Sequence, residues 1–307
     1  MNRQLYKGIF MLLLTAMIWG TAFVAQSVGM QAVEGFTFSS LRTLLGALVL
    51  LPVVLLRRRA AGKGPGLDRA AFQKALRAGA LLGLVFCAAT NTQQFAFNDA
   101  SPGKIAFITA LYIFFVPLLG LLFKKKVPPF TWPCVALALV GLYLLSVPPG
   151  DFGGINKGEF LSLLSALFFA LHIVLVDRFA ADADGITLSC VQFAVSGLLS
   201  TVLMLLFESP SLPAIRQAAV PILYAGAVSC GLAYTFQILG QRYVRAAFAS
   251  LLLCMESVFA VLASAILLHE TMTGRETAGC VLMFLAIFLS QLYEALESRK
   301  RPEAPRP

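Results

Sequence analysis

Apolar runs about twenty residues long recur along this chain, separated by short polar or Pro/Gly-containing breaks. They fall at 8–29, 36–56, 75–97, 103–123, 130–148, 158–177, 185–207, 219–241, 245–268 and 274–293. The hydrocarbon core of a bilayer is about 30 Å thick and a helix rises about 1.5 Å per residue, so each run is long enough for one crossing. Lipid offers no partner to a free backbone N–H or C=O, and helices satisfy both internally. The chain is therefore read as an all-α polytopic membrane protein with ten transmembrane helices. Composition agrees, with 59% hydrophobic and 13% charged residues in 307 and a mean hydropathy of +0.83.

Ten crossings put both termini on one side, and retention of Lys and Arg in cytoplasmic loops says which. With the N-terminus inside, the cytoplasmic segments carry nineteen of them, including seven between Arg57 and Arg77 and the run Lys124 to Lys126. The opposite loops carry four, Lys104, Lys157, Arg216 and Arg275, and Arg42 lies within the second run. Both termini are expected in the cytoplasm, and the protein in the plasma membrane as a multi-pass chain. The net charge of +9 is spread over short loops, which argues against nucleic acid as a partner. Arg3 and Lys7 ahead of an apolar run resemble a secretory signal. Cleavage is not expected, because Phe23-Val24-Ala25 lacks a small residue two positions before Ala25. Cys87, Cys134, Cys190, Cys230, Cys254 and Cys280 all lie in apolar runs without CxxC spacing. They read as reduced packing residues, and neither a metal site nor a cofactor is expected.

The chain also repeats itself. A shift of 150 lays Lys7 to Ala16 on Lys157 to Ala166 with six identities in ten, and continues with Thr37 on Thr187 and Ser39 on Ser189. A shift of 144 lays Gln93 on Gln237, Phe115 on Phe259 and Tyr112 on Glu256. Each half then holds five spans, 7–148 and 157–293, joined by PPGDFGGIN at 148–156 and followed by a basic tail at 294–307. Five is odd, so the second half enters the membrane from the opposite side. Inverted repeats of this kind are the architecture of secondary transporters, which rock around a site near the midplane.

WGTAF at 19–23, SSLRTLLGALVL at 39–50, FNDASPGKIAFITALYIFFVPLLGLLFKKK at 97–126 and LLLCMESVFAVLASAILLHETMTGRETAGCVLMF at 251–284 together resemble the drug/metabolite transporter superfamily, specifically its ten-helix EamA-type family. The resemblance spans almost the whole chain and implies a transporter of two five-helix repeats. It says little about substrate, since members move amino acids, nucleosides, sugars or toxic organic compounds. Two positions depart from the family pattern. Ser257 stands where a proline follows the intramembrane glutamate, and His269 where a glycine precedes the terminal Glu270.

Polar groups inside spans face the bundle interior or a wet cavity, which makes them the candidate site. Helical spacing aligns Trp19, Phe23 and Gln26 on the first helix, and Tyr234, Gln237 and Gln241 on the eighth. On the third, Asn91, Gln94 and Asn98 share a face beside Gln93, and four consecutive polar residues at 91–94 cannot all meet lipid. A cavity is expected there. An amide can equally serve as glue between helices, at about 1 kcal/mol. Candidate substrate contacts are Trp19, Gln26, Asn91, Gln93, Gln94, Tyr112, His172, Tyr234 and Gln237. His172 has no second ligand-type residue at metal spacing, and competes between a cavity and a buried structural role. Arg42 is expected to snorkel from near the outer end of its helix, the alternatives being an anionic substrate or a Glu partner. Glu256 lies about eleven residues into its run, too deep to snorkel. It is read either as a proton site that discharges when water or a partner reaches it, or as a structural carboxyl bonding a neighbouring helix. Pro117 removes the backbone bond to Ile113 and is expected to kink the fourth span. Gly79 and Gly83 allow close helix approach.

The leading function is secondary transport of a small polar or amphipathic organic metabolite by alternating access, with proton coupling as one energy source. No catalytic residues are assigned. A membrane-embedded enzyme acting on lipid or peptide is the alternative, against which stand the lack of HExxH and GxSxG and only two histidines. The DAD at 182–184 reads as a solvated turn. Oligomeric state is open, a homodimer included.

Overall fold

The computed structural model of the protein describes residues 3–60, 69–100, 102–125, 127–147, 150, 156–181, 183–267 and 273–300. These form helices α1 (Arg3–Gly29), α2 (Gly35–Ala60), α3 (Arg69–Ala96), α4 (Pro102–Thr109), α5 (Tyr112–Leu122), α6 (Thr131–Ser146), α7 (Lys157–Phe179) and α8 (Gly185–Phe207). There follow α9 (Leu212–Gln217), α10 (Ala219–Leu223), a π-helical segment (Tyr224–Tyr234), α11 (Thr235–Gln241), α12 (Ala246–Leu253), α13 (Glu256–Leu267) and α14 (Gly274–Lys300). No strand occurs among the described residues. Seven helical segments among them are long and apolar enough to cross a membrane, with shorter apolar helices at Thr131–Leu145 and Ala246–Ala260. Burial is inverted relative to a water-soluble protein. Phe10, Leu122, Phe207 and Val220 are each more than 65% exposed, while Gln94, His172 and Gln192 have no exposed surface. Such an exterior is solvated by lipid, and the chain is a multi-pass membrane protein.

Helix ends extend beyond the apolar runs where charged residues continue the helix. Arg57 to Arg59 prolong α2, because arginine is a good helix former that hydropathy excludes. Asn156 and Glu159 form a reciprocal capping box at the start of α7. Glu208, which follows α8, accepts from the Phe36 and Thr37 backbone N–H groups at 2.7 Å each, capping α2 from another helix. Asp184 caps α8 through Thr187 N–H and pairs with Arg57, as a turn residue should. Asp182, His269, Glu270 and most of the 148–156 connection lie outside the described residues.

Two expected continuous helices are broken. α4 gives way to α5 at Ala110 and Leu111, and α12 to α13 at Cys254 and Met255. Both breaks replace i→i−4 bonds with tighter i→i−3 ones, such as Leu111 N–H to Ile108 O and Met255 N–H to Leu252 O. The proline expected to bend the fourth span sits inside α5 instead, and α12–α13 breaks with no proline at all. Tertiary contact accompanies the second break. A Cβ on Gly20 would lie 2.6 Å from the Glu256 carbonyl oxygen, so α1 rests directly on the start of α13.

Contacts recur at constant spacing. Thr15 on α1 donates to Ala233 O, and Ser165 on α7 donates to Ala89 O on α3, each at 2.9 Å. Gly8 abuts the Gly240 carbonyl, and Gly158 abuts that of Ala96. Gly226 packs on Leu45 and the Arg42 carbonyl, and Gly83 on Val195 and the Gln192 carbonyl. In each pair one partner is displaced by 150 residues and the other by 143 or 144. α2 lies along α8 and α6 along α14, while the start of α5 meets the start of α13. All six cysteines are buried and free.

Candidate functional site

α1, α2, α3, the end of α4, the start of α5, α7, the π-helical segment, α11 and the start of α13 converge on an interior cavity. It holds about 30 Å³ reachable by water-sized molecules, enough for a water or two. That is little room for an organic solute in this conformation. Tyr112 and Glu256, the first residues of α5 and α13, meet in it, and the Tyr112 hydroxyl donates to Glu256 Oε1 at 3.1 Å. Two positions 144 apart thus touch each other. Glu256 is 3% exposed and Tyr112 2%, so neither reaches the outside in this conformation.

Trp19 lies against Tyr234 with ring centroids 4.3 Å apart, and both line the cavity. Tyr234 ends the π-helical segment that also supplies Ser229. π-helical turns are frequent at functional sites because they shift side-chain register. Gln26, Gln93 and Gln237 complete the amide lining. Gln93 donates to Thr109 Oγ1 at 3.3 Å, and Gln237 to Gln241 Oε1 at 3.1 Å.

Arg42 departs from the snorkelling expectation. It is 5% exposed, its Nη1 donates to Gln26 Oε1 at 2.7 Å, and its guanidinium lies 5.5 Å from the centre of the Phe38 ring. The side chain is long enough for either destination, and α1 presents Gln26 opposite it. Its Nε and Nη2 make no hydrogen bond.

Asn91, Gln94 and His172 do not line the cavity. Asn91 Nδ2 donates to Cys87 O at 2.8 Å and Ser200 Oγ at 2.9 Å, joining α3 to α8. Gln94 is buried with neither amide atom hydrogen-bonded. His172 Nε2 is 2.9 Å from Gln192 Oε1, behind Phe86 and Tyr234. Asn98 falls in the turn after α3, at a separate notch of about 280 Å³ beside the α1–α2 turn. The cavity also includes Ala22, Thr109, Phe169, Ile173 and Ser229, which polar-residue reasoning did not single out as contacts. Phe169 and Ile173 stand 150 residues from Trp19 and Phe23, so the repeat spacing applied to the first helix points to them. Thr109 and Ser229 carry no comparable mark, since a hydroxyl in a membrane helix ordinarily bonds its own backbone.

The EamA-like transporter family matches residues 6–147 and again 156–292. The chain belongs to the EamA-like transporter family. An uncharacterized transporter of Archaeoglobus fulgidus is 25% identical over 293 residues, 94% of this chain and 87% of its own. The uncharacterized transporter YoaV of Bacillus subtilis is 24% identical over 281 residues, 89% and 93% of the two chains. A solved structure described only as "Crystal structure of protein" shares the fold, with a TM-score of 0.75 and 18% identity over 95% of this chain and 99% of that one. Family and relatives make this EamA member a membrane transporter, and its cavity lies among helices drawn from both matched segments.

Proposed function

We propose that this EamA-family protein is a secondary transporter that moves a small polar or amphipathic organic solute across the cytoplasmic membrane by alternating access. On this reading its segments 7–148 and 157–293 are inverted five-helix repeats. Both termini and the 294–307 tail lie in the cytoplasm. The observation that carries the reading is the meeting of two broken helices at Tyr112 and Glu256 on the lining of one cavity. Discontinuous helices crossing at a repeat interface are the means by which transporters build midplane sites. A cavity of about 30 Å³ corresponds to a state closed to solute, and rocking of one half against the other opens it to either side.

Trp19, Gln26, Gln93, Tyr112, Tyr234 and Gln237 are the solute contacts in this proposal. Asn91 and His172 act as packing residues, their hydrogen bonds being made to other helices. Glu256 is the proton site, and Tyr112 releases or retains its carboxyl group as the halves move.

A metabolite panel in proteoliposomes, with and without a pH gradient, tests this. Solute flux is the expected result, with accumulation driven by the gradient. Turnover of lipid or peptide without net flux sinks the transporter reading. Unchanged gradient-driven accumulation by Glu256→Gln eliminates the proton role alone.

A further inference from the structure

The cavity is chemically lopsided. Arg42 brings a guanidinium whose Nε and Nη2 are buried without hydrogen-bond partners, and Trp19 brings an indole Nε1–H in the same condition. The acceptors on the lining are the unpaired Gln237 Oε1 and the carboxyl group of Glu256, whose Oε1 already accepts from Tyr112. Arginine stays protonated in proteins and a guanidinium offers five N–H donors. Its one hydrogen bond here is to a neutral amide, and no ion pair joins Arg42 to Glu256 among the described residues. Each buried donor left unmet carries a substantial cost, larger for a charged group. A buried cation with no direct ion pair inside a membrane protein marks a functional site by default.

The other half shows that the scaffold does not need a cation there. Gln192, displaced by 150 residues from Arg42, occupies the matching place on α8 and bonds His172 instead of lining the cavity. A neutral amide fills this level, its Nε2 left unpaired, so helix packing alone does not call for a charge at 42.

We infer that Arg42 binds the negatively charged group of the transported solute, a small organic carboxylate whose apolar body lies against Trp19 and Tyr234. This rests on the transporter reading and names the substrate class of the same cavity. A carboxylate takes two parallel N–H donors from a guanidinium, which the unpaired Nε and Nη2 supply in the fork geometry suited to it. Gln26, holding Nη1, orients the fork.

The test uses the full chain purified in detergent and in proteoliposomes, with two matched sets of probes. These are propionate, propionamide and propylamine, and phenylacetate, phenylacetamide and phenethylamine. The carboxylate of each set is expected to raise the melting temperature and to exchange across the membrane, the neutral and cationic members doing neither. Arg42→Gln, which borrows the residue of the matching position, is expected to weaken carboxylate binding roughly ten- to a hundredfold. Arg42→Lys, a point charge without the fork, is expected to retain part of it. An unaltered elution profile and unliganded melting temperature separate this loss from misfolding.

Stabilisation by the amide or amine alone overturns the inference and leaves the transporter reading in place. So does carboxylate binding that Arg42→Gln and Arg42→Lys leave unchanged. Carboxylate binding that depends on Arg42 without flux of any solute supports the anion site and overturns transport. Absence of any response to either carboxylate overturns the inference.

Discussion

Arg42 with Gln26 and His172 with Gln192 are two buried polar pairs built on corresponding helices, and they differ in charge and in whether they meet the cavity. The first lines the cavity and leaves two guanidinium nitrogens unpaired. The second lies behind Phe86 and Tyr234, off the cavity, and its one internal bond leaves His172 Nδ1 and Gln192 Nε2 unpaired. The surrounding scaffold treats the halves alike, down to the paired bonds of Thr15 and Ser165. Cavity-lining residues fall at the same spacings, as with Trp19 and Phe169, Gln93 and Gln237, and Tyr112 and Glu256. On the proposed reading, the shared contacts serve packing and motion, and Arg42 is where the two halves differ in charge.

Substitution at the two matching positions is the strongest challenge to that division. Arg42→Gln is expected to reduce transport of its solute roughly ten- to a hundredfold. Gln192→Leu should change the same rate by less than about twofold while lowering melting temperature, since it strands His172 at a cost of about 1–3 kcal/mol. Equal losses of transport from both would erase the distinction.

Gly20 and Ala170 probe the packing counterpart. A Cβ at Gly20 would meet Glu256 O at 2.6 Å and Ala260 N at 2.9 Å, whereas Ala170 already carries one and is fully buried. Gly20→Ala should destabilise the protein in a detergent melt by about 1–3 kcal/mol through overpacking. Ala170→Gly should cost no more than about 1 kcal/mol.

Tyr112→Phe removes the bond that ties the two broken helices. Double-mutant analysis with Glu256→Leu, which removes the acceptor, should give a coupling near 0.6 kcal/mol, the usual size for a hydrogen bond between membrane helices. A coupling indistinguishable from zero would show that the breaks, and not this bond, hold the two helix starts together. The smallest effect is expected at the periphery. Arg57 and Asp184 pair at 3.1 Å but are 56% and 44% exposed. Arg57→Ala should therefore shift stability by less than about 1 kcal/mol, decreasingly so with added salt.

Much of the fold was legible because membrane solvation leaves few choices. Apolar runs located the helices closely, and the EamA resemblance agrees with the two family matches. Ends were misjudged where Arg57 to Arg59 continue a helix past its apolar part. The breaks at 110–111 and 254–255 were invisible, because Pro117 pointed elsewhere and nothing marks Cys254 and Met255. In the site, helical spacing put Trp19 with Gln26 and Tyr234 with Gln237, and all four line the cavity. It could not separate Gln93, which lines the cavity, from Gln94 next to it, which does not. Neighbouring residues on one helix differ by about 100° in direction, and what each meets depends on which helix stands opposite.

By itself the sequence determined a helical, membrane-embedded chain with doubled internal patterning, because hydrocarbon forces backbone groups to pair within each helix and periodic patterns survive without knowledge of neighbours. Tertiary structure alone decided that Arg42 turns inward to Gln26, that Asn91 and His172 bond Ser200 and Gln192 on α8, and that Tyr112 meets Glu256 at two helix breaks. The reach of an arginine or the hydrogen-bonding capacity of an amide is the same in either setting. Which partner lies within that reach is set by the rotation and offset of helices far apart in the chain.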